Sequence, residues 1–250
     1  MNAERNMPAV VRAFDAAAGT YDALSQAQRQ IAQNLVAQAH DEAPRKILDL
    51  GCGTGHLTEA ALRRWPRAKI IALDRAPSML AALERKFPGV RTILGDAAES
   101  AALGEFDLIF SSMMLHWLPE PRRALMGWRE VLAPAGRLHV ALPVEGSFDE
   151  WCAACSCIGV ADGLWLFPKQ DFAAGLAVDS RIEAHPTTFA DARAFLKSLK
   201  STGAHSARRD HRPLAPQILR RLLAMQQGPF TATFRIQYLA LAGVGQSPLL

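Results

Sequence analysis

The sequence predicts an α/β fold: a doubly wound, mostly parallel sheet of seven strands, with helical cover from the N-terminus and from the segment after the fifth strand. Three observations carry that expectation. Between residues 46 and 143, short apolar runs alternate with amphipathic stretches of helical length, the pattern of strand-helix repeats. Pro66 and Pro88 punctuate the first repeats, as helix-ending residues should. Finally, "ILDLGCGTGHL" (47–57) puts three glycines at alternate positions directly behind an apolar strand, where the chain must turn sharply.

Taken in order, residues 9–40 read as helical, with Phe14, Tyr21, Leu24, Ile31 and Leu35 at helical spacing and a break at Gly19-Thr20. Strand 46–50 is followed by a helix over His56–Trp65. Strand 69–74 leads through Ala76-Pro77 into a helix over Pro77–Phe87. Strands are expected at 90–96 and 106–112, a helix around Arg122–Leu132, and a fifth strand at 136–143. Beyond Pro143 the alternation changes. Helices are expected at Phe148–Val160, Pro168–Leu176, Asp191–Lys200 and Pro216–Gln226, with strands at 181–189 and within 230–244. There is no internal repeat or linker. One domain over 1–250 is expected, with cover helices in 1–40, a binding core over 46–143, and substrate-covering helical segments at 147–176 and 191–226.

The chain has 250 residues, 50% of them hydrophobic and 21% charged, enough to bury a full core without disulfide or metal staples. "MNAERNMPAV" lacks the apolar region of a signal peptide, and no run approaches the ~18 apolar residues of a membrane span. With four cysteines and no secretory signal, reduced thiols and a cytoplasmic location are expected. The net charge of +4 favours an anionic partner. Nucleic acid is not expected, because no aromatic residues interleave with the basic clusters.

In open parallel sheets, ligands bind beyond the carboxyl ends of the strands. Gly51, Gly53 and Gly55 occupy that place after the first strand, in a G-x-G-x-G spacing one residue shorter than the dinucleotide fingerprint. Asp74 ends the second strand, 25 residues after Asp49, where a carboxylate can accept from ribose hydroxyls. Asp96 ends the third, where it can accept from an exocyclic amine. Asp49 lies inside an apolar strand, a costly position unless backbone donors or a ligand's amino group meet it.

This combination resembles the class I S-adenosylmethionine-dependent methyltransferases over residues 46–143, which implies a Rossmann-like sheet and S-adenosylmethionine as cofactor, with S-adenosylhomocysteine as product. By that resemblance the glycine loop holds the methionine moiety, Asp74 the ribose and Asp96 the adenine amine, with Met79 against the adenine. It also adds Arg75, Ala97 and Ser111 to the cofactor-binding set, and assigns "SSMMLHWL" after the fourth strand to the methyl-transfer site.

The additions are similar to those of the malonyl-acyl-carrier-protein O-methyltransferases of biotin synthesis. Phe14, Ala17-Ala18, Tyr21 and Gln28-Arg29 match the entry helices, "EGSFDEW" and "LFPKQDFAAGL" match later segments, and Leu199–Ala204 within "FLKSLKSTGAHSARRD" is the most specific match. Ala16 departs from the family, which often has Arg there, and "MMLHW" falls where the family varies. The resemblance implies methylation of the free carboxylate of a malonyl thioester, the step that primes pimeloyl formation. Its partners would be acyl carrier protein or malonyl-coenzyme A, with a monomer favoured. A carboxylate with a pKa near 4 is already ionised at neutral pH, so no general base is required.

Substrate-binding candidates are Tyr21, His116, Trp117, Lys200, Arg208 and Arg209. Tyr21 could make a cation–π contact or donate its hydroxyl, and Arg29 could pair with the cofactor carboxylate. His116 and Trp117 either wall the methyl site or anchor the core. Cys152, Cys155 and Cys157 lack a clear fourth metal ligand, although His139 or His185 could fold back; small buried thiols fit better, and no metal is expected. Two alternatives stand beside the leading one: a methyltransferase for a free small acid such as trans-aconitate, and a non-catalytic S-adenosylmethionine-binding partner protein.

Overall fold

The computed structural model describes residues 3–40, 43–204 and 214–244. The chain opens with α1 (Ala3–Leu24) and α2 (Gln26–Gln38). Then come β1 (Lys46–Leu50), α3 (His56–Arg64), β2 (Lys69–Asp74), α4 (Pro77–Lys86) and β3 (Arg91–Leu94). β4 (Phe106–Ser112), α5 (Pro121–Glu130) and β5 (Leu132–Pro143) complete the alternating part. α6 (Asp149–Ser156), β6 (Asp179–Phe189), α7 (Ala192–Ser201), α8 (Pro216–Met225) and β7 (Phe230–Ala242) follow.

Seven strands form one sheet in the order β3-β2-β1-β4-β5-β7-β6. β1 pairs in parallel with both β2 and β4, and β7 runs antiparallel to β5 and β6. The order reverses between β1 and β4, so their carboxyl ends open a crevice at the topological switch point. β1 is buried on both faces, and its alternation divides the core. Leu48 and Leu50 join Ile109, Leu125 and Trp128 beneath α5. Ile47 joins Ile31, Leu35, Trp65 and Phe110 beneath α2 and α3.

The expected doubly wound sheet is present; several local expectations are not. α1 runs straight through Gly19, whose missing side chain faces open space. The break comes at Ser25, whose hydroxyl donates to the Tyr21 carbonyl at 2.6 Å and so caps the last turn from within. The helix expected at Pro168–Leu176 is a string of turns. Its carbonyls are taken by distant side chains: Arg122 donates to Phe172 and Ala174 at 3.0 and 2.9 Å, and Gln237 donates to Gln170 at 2.8 Å. β5 begins four residues before the expected Gly136, across an irregularity in its pairing with β4 at Phe106/Leu108. β3 and α6 are shorter than expected at both ends.

Candidate functional site

The three glycines of the loop after β1 all have positive φ, yet they are required for different reasons. A Cβ at Gly51 would lie 2.2 Å from Met114 Cγ, so that position is closed by the protein itself. Gly55 starts α3 and packs against Leu83 and Phe87. Only Gly53, of the three, faces open space, with nothing within 4 Å of a built Cβ.

Gly53 opens on the larger of two adjoining cavities, which lies at the switch point of the sheet. The Asp74 carboxylate sits at its edge, accepting the Gly53 N–H at 2.8 Å and the Ala76 N–H at 2.9 Å. Burial raises the Asp74 pKa, while these backbone donors pull the other way. Asp96 accepts the Ala98 N–H at 3.0 Å and faces the Arg75 guanidinium at 3.3 Å. Met79, 1% exposed, and Ala97 complete the apolar part of this wall.

Asp49 is 1% exposed at the floor of the same cavity. Its Oδ2 accepts the Thr58 hydroxyl at 2.6 Å. Burial pushes the carboxyl up to about 7, against that hydrogen bond. A carboxylate so placed suits a cationic ligand. A cavity with one carboxylate at the floor, two at the rim and an apolar wall between them fits a nucleoside bearing a positively charged amino-acid tail.

α1 roofs this cavity and is fastened to its rim. Asp22 accepts hydrogen bonds from the Thr54 hydroxyl and from Lys86 Nζ, the latter at 2.7 Å. Asp15 accepts the Ser78 N–H at 2.7 Å, satisfying a free donor in the first turn of α4. Tyr21 lines the cavity with its ring stacked on His56, centroids 5.9 Å apart. Burial, then the Asp74 and Asp22 charges, hold its hydroxyl well above the usual phenol range, so it remains a donor at neutral pH.

His56 was not singled out in the sequence, yet it lines the cavity at 7% exposure. Because the Ser25 hydroxyl spends its proton on the Tyr21 carbonyl, it must accept from His56 Nε2 at 2.7 Å. The neutral ring therefore keeps an unprotonated Nδ1, which is buried and has no partner among the described residues. Burial lowers its pKa to about 4. The signal was present in the sequence, a histidine directly after the third glycine at a helix start. Thr54 and Gln28 are likewise on the walls and were not foreseen as ligands, and Ser112 lines the cavity from the end of β4.

The second cavity shares Phe14, Tyr21, Gln28, Met113 and Trp117 with the first. Its other walls are His116, Phe148 and Phe234, then Leu164, Trp165 and Phe167, and the end of α7 and the turn after it at Leu199, Thr202 and Ala204. Gly203 explains the Leu199–Ala204 motif: a Cβ there would come within 3.0 Å of the Ala13-Phe14 backbone, so α7 and α1 meet only through glycine. Trp165 Nε1 donates to the His116 carbonyl at 2.9 Å, and its ring lies 4.9 Å from that of Trp117. His116 and Trp117 are therefore both buried and wall-forming. No charged side chain lines this cavity among the described residues.

Several candidates fall elsewhere. Lys200 is exposed on α7 and lines neither cavity. Arg29 faces Glu59 at 3.9 Å, off the cavity walls, because α2 turns it outward along α3. Ser111 ties β4 to β1 by donating to the Leu50 carbonyl at 3.1 Å, leaving the neighbouring Ser112 on the wall. Arg208 and Arg209 lie outside the described residues. Cys155 is buried, Cys152 partly buried and Cys157 exposed, and burial pushes the first two thiols up to about 12 and about 11. His185 bonds Tyr238 at 3.2 Å, well occupied in the sheet.

Residues 47–136 match the methyltransferase domain family. Malonyl-[acyl-carrier protein] O-methyltransferase of Magnetococcus marinus is 30% identical over 84% of this chain and 82% of its own length. Trans-aconitate 2-methyltransferase of Mycobacterium tuberculosis is 39% identical, but over 46% of this chain and 42% of its own. The crystal structure of YcgJ from Bacillus subtilis covers 86% of this chain and 99% of its own with a TM-score of 0.58 at 14% identity, a likeness of fold.

Proposed function

Because this chain belongs to the class I S-adenosylmethionine-dependent methyltransferases, in the branch of the malonyl-acyl-carrier-protein O-methyltransferases, we propose that it methylates the free carboxylate of a malonyl thioester carried on acyl carrier protein. The cofactor is S-adenosylmethionine. The acceptor assignment rests on one observation above others. Similarity to the malonyl-carrier enzyme extends over 84% of the chain, far beyond the core over 46–143, whereas the trans-aconitate enzyme matches over 46%. The cover segments supply the second cavity's walls through Phe14, Tyr21, Leu164, Trp165, Phe167, Leu199, Thr202 and Ala204. The likeness thus reaches into the segments that would touch the acceptor.

When bound, the cofactor supplies an electrophilic methyl group on a sulfonium. Asp74 and Asp96 would hold its nucleoside, Asp49 its cationic tail, and Met79 and Ala97 its base. The residues shared by both cavities stand where cofactor and acceptor would meet. Phe14, Tyr21 and Trp117 would fix the line of attack and keep water out, which is the main service an already ionised nucleophile needs. Tyr21 would supply an aromatic ring or its hydroxyl beside the sulfonium. No residue needs to remove a proton, because the acid is a carboxylate at neutral pH.

An acyl carrier protein is acidic, and the net charge of +4 favours encounter with it. No described helix is long and apolar enough to cross a membrane. A methyl-transfer assay with labelled cofactor, comparing malonyl-carrier protein, malonyl-coenzyme A and trans-aconitate, tests the reading. Highest kcat/KM on the carrier-bound malonyl group is expected. Highest kcat/KM on trans-aconitate would replace it with the free-acid alternative, and no transfer to any acid, with cofactor bound, would favour a non-catalytic partner.

A further inference from the structure

The second cavity poses a chemical problem. An anionic acceptor would enter a wall built from rings, Gln28, Thr202 and the Tyr21 hydroxyl, with no charged side chain among the described residues. One group on that wall is conspicuously unfinished. His116 is 5% exposed, its Nδ1 is sealed away without a partner, and neither ring nitrogen has a hydrogen bond among the described residues. Its backbone is held in place by Trp165, and its ring by Trp117 at 4.8 Å and Phe167 at 5.8 Å. A buried imidazole with no partner is costly unless a ligand completes it.

We propose that His116 meets the acceptor's carboxylate, donating one N–H to one oxygen and leaving the other oxygen free to attack the methyl group. The proposal rests on the acceptor being a carboxylic acid, as argued above. A single donor suits the chemistry. A fork of two N–H groups, as a guanidinium presents, would occupy both oxygens and quench the nucleophile.

A consequence follows from charge. In the free protein burial holds His116 neutral, with its pKa lowered to about 3. Tyr21 is the other titratable group on this wall, and it stays a neutral phenol. Behind it stands His56, kept neutral by burial, and Asp162 near the 164–167 segment is turned into its own backbone, accepting the Leu164 N–H at 2.8 Å. A carboxylate entering beside His116 raises its pKa by about 1–3 units toward the imidazolium, so that near pH 5 binding draws a proton from solvent onto the pair. Transfer then forms the carboxylate O–CH3 bond and breaks the S–CH3 bond, its electron pair remaining on sulfur. The resulting ester is neutral, so the imidazolium loses its partner and returns the proton to solvent. Product is released because the charge that held the substrate has gone.

The test is calorimetry at pH 5 in buffers of different ionisation enthalpy, with S-adenosylhomocysteine filling the cofactor site. A small malonyl thioester and its methyl ester are the ligands. Wild type should take up part of a proton per malonyl thioester bound and none with the ester. His116→Gln keeps a donor but cannot be protonated. It should bind the acid roughly tenfold to a hundredfold more weakly, without proton uptake, while retaining its affinity for S-adenosylhomocysteine and its melting temperature. Uptake that persists in His116→Gln overturns the proposal. So does wild-type binding with no uptake, which would assign the carboxylate to a permanent cation such as Arg208 or Arg209. Failure of wild type to methylate any malonyl thioester overturns the acceptor reading instead, and the same calorimetry with the acid it does methylate then decides His116. Methylation of no carboxylic acid at all overturns both.

Discussion

The Asp74 carboxylate accepts the Gly53 N–H at 2.8 Å, so the end of β2 holds the glycine loop of β1 in shape before any ligand arrives. One side chain thus both builds the loop and lines the cavity proposed for the cofactor. Asp74→Ala should weaken S-adenosylmethionine binding by roughly 1.5–3 kcal/mol, the range for hydrogen bonds to a charged group. Calorimetry measures it, and unchanged affinity would detach the second strand from the ribose.

The glycines should separate in mutagenesis. At Gly51 a methyl group meets Met114 Cγ at 2.2 Å, so Gly51→Ala should lower the melting temperature of the protein without cofactor. Gly53→Val meets no protein atom within 4 Å. It bears the cost of a left-handed backbone, about 1–2 kcal/mol, and its branched side chain enters the ligand's space. It should remain folded yet lose cofactor binding. Near wild-type affinity in Gly53→Val would contradict the assignment of the loop.

Asp49 sets a pH dependence whose sign is opposite to that of an ordinary ion-paired carboxylate. Its folded-state pKa is raised from 3.8 to about 7 by burial, so the folded protein holds a proton that the unfolded chain has already lost. Its contribution is most favourable below pH 4 and declines as pH rises toward 7, by a few kcal/mol at 1.36 per unit. A cationic ligand favours the ionised form, so cofactor affinity should rise across pH 6 to 8. Asp49→Asn should flatten both trends, raise the cofactor-free melting temperature at pH 8, and weaken binding. Identical pH slopes in wild type and Asp49→Asn would remove Asp49 from the account.

Much of this was legible in the sequence, and the exceptions have physical reasons. Asp74 at the end of β2, Asp96 just past β3, and Gly51 and Gly53 after β1 are local signals, and they meet at one cavity because parallel strands bring their carboxyl ends together. The break at Ser25 was not legible, because it depends on a bond to His56 some thirty residues away. Nor was the turn structure at Pro168–Leu176, whose carbonyls are claimed by Arg122 and Gln237 from elsewhere in the fold. Arg29 and Lys200 are cations within family-like segments, and neither charge nor spacing says which way a helix turns a long side chain. The orphaned nitrogens of His56 and His116 are tertiary facts altogether.

If the acceptor arrives on an acidic carrier, the exposed Arg220 and Arg221 on α8 should speed encounter. Reversing both charges should lower kcat/KM for malonyl-carrier protein several-fold at low salt, with the defect shrinking as salt screens the field. A small malonyl thioester, which has no acidic surface, should be affected far less. Equal loss on both substrates would point to a role inside the site, and no loss on either would leave these arginines as a solvated helix face.

The central claim is that the methyl group lands on the free malonyl carboxylate. Mass spectrometry of malonyl-carrier protein after incubation with enzyme and S-adenosylmethionine tests this most directly. The account predicts a mass gain of one methylene unit, confined by fragmentation to the terminal carboxyl of the malonyl group and removed by mild alkaline hydrolysis. An unchanged carrier, or a methyl group found on carbon, nitrogen or a protein side chain and resistant to that hydrolysis, would contradict it.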